Sequence, residues 1–125
     1  MADHDLQGRR VLVVEDEYMI AEDMRATLSD AGAQILGPVP TVDEATDLID
    51  AEPDIDAALL DVNLRGDMVF QVADALSARG VPFAFVTGYE RAAMPARFSD
   101  APHLEKPVKA HQVAAMLAPH LRENR

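Results

Sequence analysis

Three apolar runs in this chain each end in a chemically useful polar residue, and this repetition constrains the fold more than any other feature. Val11-Leu12-Val13-Val14 runs into Glu15-Asp16, Ala57-Ala58-Leu59-Leu60 into Asp61, and Phe83-Ala84-Phe85-Val86 into Thr87-Gly88. Each run has strand length and is almost continuously apolar. That is how strands read when helices cover both faces of a parallel sheet. A shorter stretch, His103-Leu104-Glu105, precedes Lys106-Pro107 in the same manner. Acids, a hydroxyl and an amine therefore stand at carboxyl ends of strands. In an open parallel α/β sheet that edge is where ligands bind.

The segments between these runs supply helices. Strand one is read at about Arg10–Glu15, followed by helix one from about Tyr18 to Ala31. Ile20, Met24, Leu28 and Ala31 share one face of that helix, and Gly32 is a natural stop. Strand two is short, Gln34–Leu36, and Gly37-Pro38-Val39-Pro40 after it points to a sheet edge. Thr41-Val42-Asp43-Glu44 is a capping box that opens helix two, which ends before Pro53. Strand three is Ala57–Asp61, helix three about Met68–Ala78 with Gly80 closing it, and strand four Phe83–Val86. Pro95 limits a fourth helix within Tyr89–Phe98 to a short or broken piece. Strand five is His103–Glu105, and helix five starts near Val108 and reaches at least Ala118. Such alternation predicts right-handed crossovers and a doubly wound α/β fold with a five-stranded parallel sheet and five helices, the fourth short or irregular. Met24, Met68 and Met116 are read as core filler.

A length of 125 residues suits one domain, with its core at about residues 10–121 and no output domain expected. The absence of cysteine excludes disulfides, thiol catalysis and thiolate metal sites. Met1 is followed by polar Ala2-Asp3-His4-Asp5, so no signal peptide is visible, and no apolar run approaches the roughly 20 residues that span a bilayer. A cytoplasmic setting is expected. The net charge of −11 argues against unassisted binding to nucleic acid or anionic lipid.

Glu15, Asp16 and Asp61 together form a hard-oxygen cluster that suits Mg²⁺, with Mn²⁺ as an alternative ion. Without a cation, converging carboxylates repel one another and raise a pKa. A metal beside a carboxylate nucleophile suggests phosphoryl transfer, in which positioning and charge neutralisation dominate. Lys106 suits one phosphoryl oxygen as a mobile point charge and Thr87 suits another as a hydrogen-bond donor. Gly88 leaves the approach open.

Taken in order along the chain, these residues resemble the receiver domain of bacterial two-component response regulators over about Arg10 to Leu121. The resemblance implies a flavodoxin-like strand order of 2-1-3-4-5. It implies that Asp61 is the phosphoacceptor, that Asp16 ligates the metal directly and Glu15 mostly through water, and that Asn63 offers its backbone carbonyl. Thr87 matches the switch hydroxyl, and Lys106-Pro107 matches the lysine and the proline after a cis bond. It further implies a phosphohistidine donor on a sensor histidine kinase or histidine phosphotransfer protein, and a downstream protein partner that the sequence does not identify. The kinase would dock on helix one and the loop after Lys106, with Tyr18, Ala21 and Arg25 as exposed contacts. Self-catalysed phosphorylation and autodephosphorylation are the only enzymology implied, and the role is that of a phosphorylation-dependent binder, relay or phosphate sink.

Two departures stand out. His103 occupies the position three residues before the lysine, where many receivers carry Tyr or Phe as a rotameric switch. The stretch Pro82-Phe83-Ala84-Phe85-Val86-Thr87-Gly88-Tyr89 resembles an alphaproteobacterial receiver subclass with a Phe-Ala-Thr-Gly-Tyr-Gly motif, with Val86 and Glu90 as mismatches. Tyr89 is then placed to take over switching, and His103 to pack. Two other functions compete. A haloacid-dehalogenase-type phosphatase needs a second Asp where Asn63 stands. A phosphorylation-independent adaptor with a receiver fold usually loses the Asp, Thr or Lys that this chain keeps.

Overall fold

The structure is a computed structural model, and it describes residues 6–64, 66–87 and 94–115. Its elements are β1 Arg10–Val14, α1 Tyr18–Asp30, β2 Gln34–Val39, α2 Val42–Ala51, β3 Ala57–Asp61, β4 Asn63–Leu64, β5 Asp67–Met68, α3 Phe70–Ala78, β6 Phe83–Thr87 and β7 His103–Glu105. A 3₁₀ turn at Ala96–Phe98 precedes β7, and residues 110–115 are helical. Five strands form one sheet in the order β2-β1-β3-β6-β7, with every pairing parallel. This is the expected flavodoxin-like order, because β4 and β5 form a separate two-stranded ribbon.

The sheet is apolar on both sides because alternate residues feed two cores. Leu12, Val14, Ala58, Leu60 and Phe85 pack towards α2 and α3 with Ile49, Val72 and Leu76. Val11, Val13, Ala57, Leu59, Ala84 and Val86 pack on the other side with Met24, Leu28, Val108 and Val113. Burying a leucine, valine or phenylalanine side chain stabilises the fold by about 1.5–3 kcal/mol, so Leu59 and Leu60 of β3 both contribute although they face opposite cores. Among the described residues no helix is long and apolar enough to cross a membrane.

Several local details differ from the expectation. Strand two continues through Pro38 to Val39, at the sheet edge as the prolines suggested. Gly37, with φ of +92°, makes that possible: a Cβ there would meet Val39 N at 2.8 Å and Val13 O at 3.0 Å. The Gly37–Pro38 and Lys106–Pro107 bonds are both cis. Thr41 caps α2 as read, its Oγ1 accepting from Glu44 N at 3.1 Å. Helix three begins at Phe70 and not Met68, because Met68 pairs back on Asn63 and Asp67 on Leu64. Met68 is therefore 40% exposed and is no core filler, whereas Met24 is buried and Met116 lies outside the described residues. The last helix starts at residue 110, two positions after the expected start, although Val108 is buried. Of the region expected to hold a fourth helix, residues 88–93 lie outside the described residues, and the remainder shows only the 3₁₀ turn.

The C-terminal end of α2 is closed by a side chain from α3's end. Arg79 donates to Ile49 O, to Glu52 O at 2.8 Å and to Pro53 O at 2.9 Å. Ile49 O is one of the carbonyls a helix end leaves without an intrahelical partner, and the other two belong to the cap residue Glu52 and to Pro53 after it. Arg79→Met removes all three donors. It is expected to lower the urea-unfolding free energy by about 1–2 kcal/mol with an unchanged m-value.

Candidate functional site

Parallel register brings the strand ends to one edge. Val14 is level with Leu60, Asp61 with Val86, and Thr87 with Glu105, so Glu15, Asp61, Thr87 and Lys106 leave the sheet side by side. The hydrogen bond from Lys106 N to Thr87 O, 2.9 Å, extends the β6–β7 pairing by one residue into the site.

Among the described residues, Glu15, Asp61 and Thr87 are the buried polar ones, at 2%, 8% and 6% exposure. One carboxylate oxygen from each of Glu15, Asp16 and Asp61 can be chosen so that all lie within 4.8 Å of one another. Glu15 is braced twice. Its Oε2 accepts from Glu17 N at 3.1 Å, and its Oε1 lies 3.0 Å from Lys106 Nζ. The same Nζ is 3.6 Å from Asp61 Oδ1. The lysine thus bridges two acids, and its pairing with Glu15 was not foreseen from sequence.

Burial pushes the Asp61 carboxyl up to about 7, and the charge of Glu15 adds to the rise while Lys106 opposes it. For Lys106, burial works against the ammonium, but the hydrogen bond to Glu15 and the charge of Asp61 outweigh it and hold its pKa above the usual value. A cluster whose carboxylates resist simultaneous ionisation suits a divalent cation. Its all-oxygen donor set is of the Mg²⁺ or Mn²⁺ type.

The remaining sequence-derived residues divide. Asn63 is exposed beside the cluster, and its side-chain oxygen accepts from Gly66 N at 2.7 Å, which commits that side chain to the ribbon turn. Gly66 has φ of +97°, and Asn63-x-x-Gly66 is the sequence signal by which the turn could have been found. The His103 ring lies tilted against Phe85 with centroids 5.6 Å apart, and its Nδ1 donates to Ala101 O at 3.0 Å. Its Nε2 is buried with no hydrogen-bond partner among the described residues. Pro107 is exposed beside Lys106. Gly88 and Tyr89 lie outside the described residues.

On α1, Tyr18 is 77% exposed, as expected of a contact residue. Arg25 is tied to Glu22, with Nη2 to Oε2 at 2.5 Å. Ala21 corrects the expectation: it is buried at 7%, because Ala21, Met24 and Leu28 form the helix stripe that faces the protein interior. The exposed residue overlooked here is Met19, at 73%.

No protein-family model matches the chain. The solution structure of SdrG from Sphingomonas melonis Fr1 is similar at 39% identity and a TM-score of 0.77, covering 92% of this chain and 97% of that one. A BeF3-activated conformation of SdrG, from Pseudomonas melonis Fr1, matches at 39% identity and a TM-score of 0.72, covering 97% and 99%. A response regulator receiver protein from Sinorhizobium medicae WSM419 shares the fold, at 23% identity and a TM-score of 0.76 over 96% and 99% of the two chains. The transcriptional regulatory protein PdtaR of Mycobacterium tuberculosis is 28% identical over 111 residues, which are 87% of this chain and 53% of PdtaR. The chain thus spans about half the length of the curated relatives it matches. With the sheet order and the strand-end cluster already defined, these similarities are decisive: the chain belongs to the response regulator receiver domains of two-component systems.

The raised Asp61 value sets a direction for stability. The folded state favours the protonated carboxyl, so this contribution is present at low pH and is lost as pH rises from about 4 through about 7. In cation-free buffer, Asp61→Asn is expected to stabilise the protein by about 1–3 kcal/mol at pH 8 and to make little difference at pH 4. Thermal unfolding at the two pH values, repeated with Mg²⁺ to stabilise the wild type selectively, checks this.

Proposed function

We propose that Asp61 accepts a phosphoryl group from a phosphohistidine on a sensor histidine kinase or a histidine phosphotransfer protein. The observation that carries this reading is the setting of Asp61: at the end of a fully buried strand, within 4.8 Å of two further carboxylates and 3.6 Å from an ammonium. A carboxylate oxygen of Asp61 forms the new P–O bond as the P–N bond to the donor imidazole breaks, and the electron pair stays on the departing nitrogen. Glu15, Asp16 and Asp61 would hold Mg²⁺ or Mn²⁺, with the Asn63 backbone carbonyl as a further ligand. When bound, the ion supplies positive charge to the phosphoryl oxygens. Lys106 supplies the second positive charge and moves from Glu15 and Asp61 to the transferred group. Thr87 donates a hydrogen bond to it.

The chain acts catalytically only on itself, forming and hydrolysing its own aspartyl-phosphate. The phosphorylated form then signals by binding a protein partner, or passes the group on as a relay or sink. This chemistry is assigned to the cytoplasm. The motif around Thr87 supports membership of the Phe-Ala-Thr-Gly-Tyr-Gly subclass, with Tyr89 in the switching role. The donor docks on α1 through exposed Tyr18 and Met19, beside a largely apolar groove of about 460 Å³ between Met19, Ile20, Met24, Pro107 and Val108, with Asp23 and Lys106 as its charged lining.

Incubation with acetyl phosphate followed by intact-mass measurement tests the reading. One phosphoryl adduct that requires both Mg²⁺ and Asp61 is expected, and none on Asp61→Asn. If the wild type shows no adduct and also no Mg²⁺-dependent beryllofluoride binding, the phosphoacceptor assignment is wrong. Lys106→Ala should still bind Mg²⁺ but lose at least about tenfold in the rate of adduct formation, since it removes a charge used in the transition state.

A further inference from the structure

The described stretch 94–101 leads from the strand that ends in Thr87 to the strand that precedes Lys106. Its backbone hydrogen bonds close within it: Phe98 N to Pro95 O, Ser99 N to Ala96 O and Ala101 N to Phe98 O. The bond from His103 to Ala101 O links it only to the strand that follows. Apolar packing ties it to the rest of the domain, with Phe98 buried against Phe70, Phe83 and Phe85 and with Met94 and Ala101 partly buried against the same core. The other tie is directional. Arg97 Nε and Nη2 meet Asp74 Oδ1 and Oδ2, each at 2.9 Å, in a two-pronged ion pair between the turn and α3. The guanidinium also lies 4.8 Å from the centre of the Phe98 ring. Asp74 is one helical turn beyond Phe70, the residue whose ring stacks on Phe98, so the pair and the stack form one strip across the junction.

We propose that the Arg97–Asp74 pair is a restraint on activation: it clasps the described 94–101 stretch onto α3 while Asp61 is free, and it opens when Asp61 is phosphorylated. This deepens the receiver reading and rests on it. Both side chains are about half exposed, at 54% and 50%, so water screens the attraction. A tie of that strength biases a two-state equilibrium without blocking it. A ligand that binds the opened state then has its apparent affinity scaled down by the fraction of the protein that is open. Neither residue touches the carboxylate cluster, so the clasp acts on the switch and not on the chemistry.

The test is a beryllofluoride titration in Mg²⁺ by calorimetry, beside the rate of acetyl phosphate labelling, on the full chain. Asp74→Asn and Arg97→Gln should each tighten beryllofluoride binding by about two- to five-fold, and together no more than either alone. The reversed pair, Asp74→Arg with Arg97→Asp, should return towards the wild type. Unchanged or weakened binding in the single variants would overturn the clasp, as would a reversed pair that behaves like them. A loss of thermal stability without any gain in binding would mark the pair as merely structural and count equally against it. A wild type that binds no beryllofluoride and takes no phosphoryl group would remove the receiver reading, and the clasp with it. A normal wild type with indifferent variants removes the clasp alone.

Discussion

Glu15, Asp16 and Asp61 repel one another across less than 5 Å, and the rest of the molecule is organised so that they cannot move apart. Glu15 and Asp16 follow on β1 and Asp61 ends β3, two strands whose side chains are buried on both faces. To part the backbones that carry Glu15 and Asp61, β1 would have to slide against β3, which would lift Val11 to Val14 out of register with Ala57 to Leu60 and break both cores at once. The hydrophobic cost of that slip exceeds the electrostatic gain. The strain is answered locally by Lys106, and the geometry leaves room for a cation to answer it more fully.

Much of this architecture can be read from sequence because the strands advertise themselves. A run such as Ala57-Ala58-Leu59-Leu60 has no polar face, so it is buried on both sides, and the first polar residue after it marks where the sheet meets solvent. Asp61 is legible for that reason. Thr41 with Glu44 is legible because a capping box is local. The β4–β5 ribbon is not, because two-residue strands are too short to show a period and Met68 looks like one more helical apolar residue. The burial of Ala21 depends on which stripe of α1 the sheet meets, and a small residue beside that stripe carries no signal of its own. The bridge from Lys106 to Glu15 joins residues 91 positions apart, through the register of strands in between.

Lys106 has two acids within reach, and the nearer is Glu15, not the nucleophile. A cation seated among the carboxylates competes with the ammonium for Glu15, so metal and lysine are coupled through that side chain even though they need never touch. The buried position of Glu15 makes the coupling strong, because water is too scarce there to screen it.

The kink at Gly37 and Pro38 has a consequence beyond its place beside β1. It lies in β2, the outer strand at one side of the sheet, and proline offers no N–H to a further strand. At the opposite side, β7 is only three residues long. Neither border is a usable template for another chain's backbone. A second protein that joins this domain must therefore meet side chains on its helical faces or loops, which favours recognition by shape and charge over indiscriminate growth of the sheet.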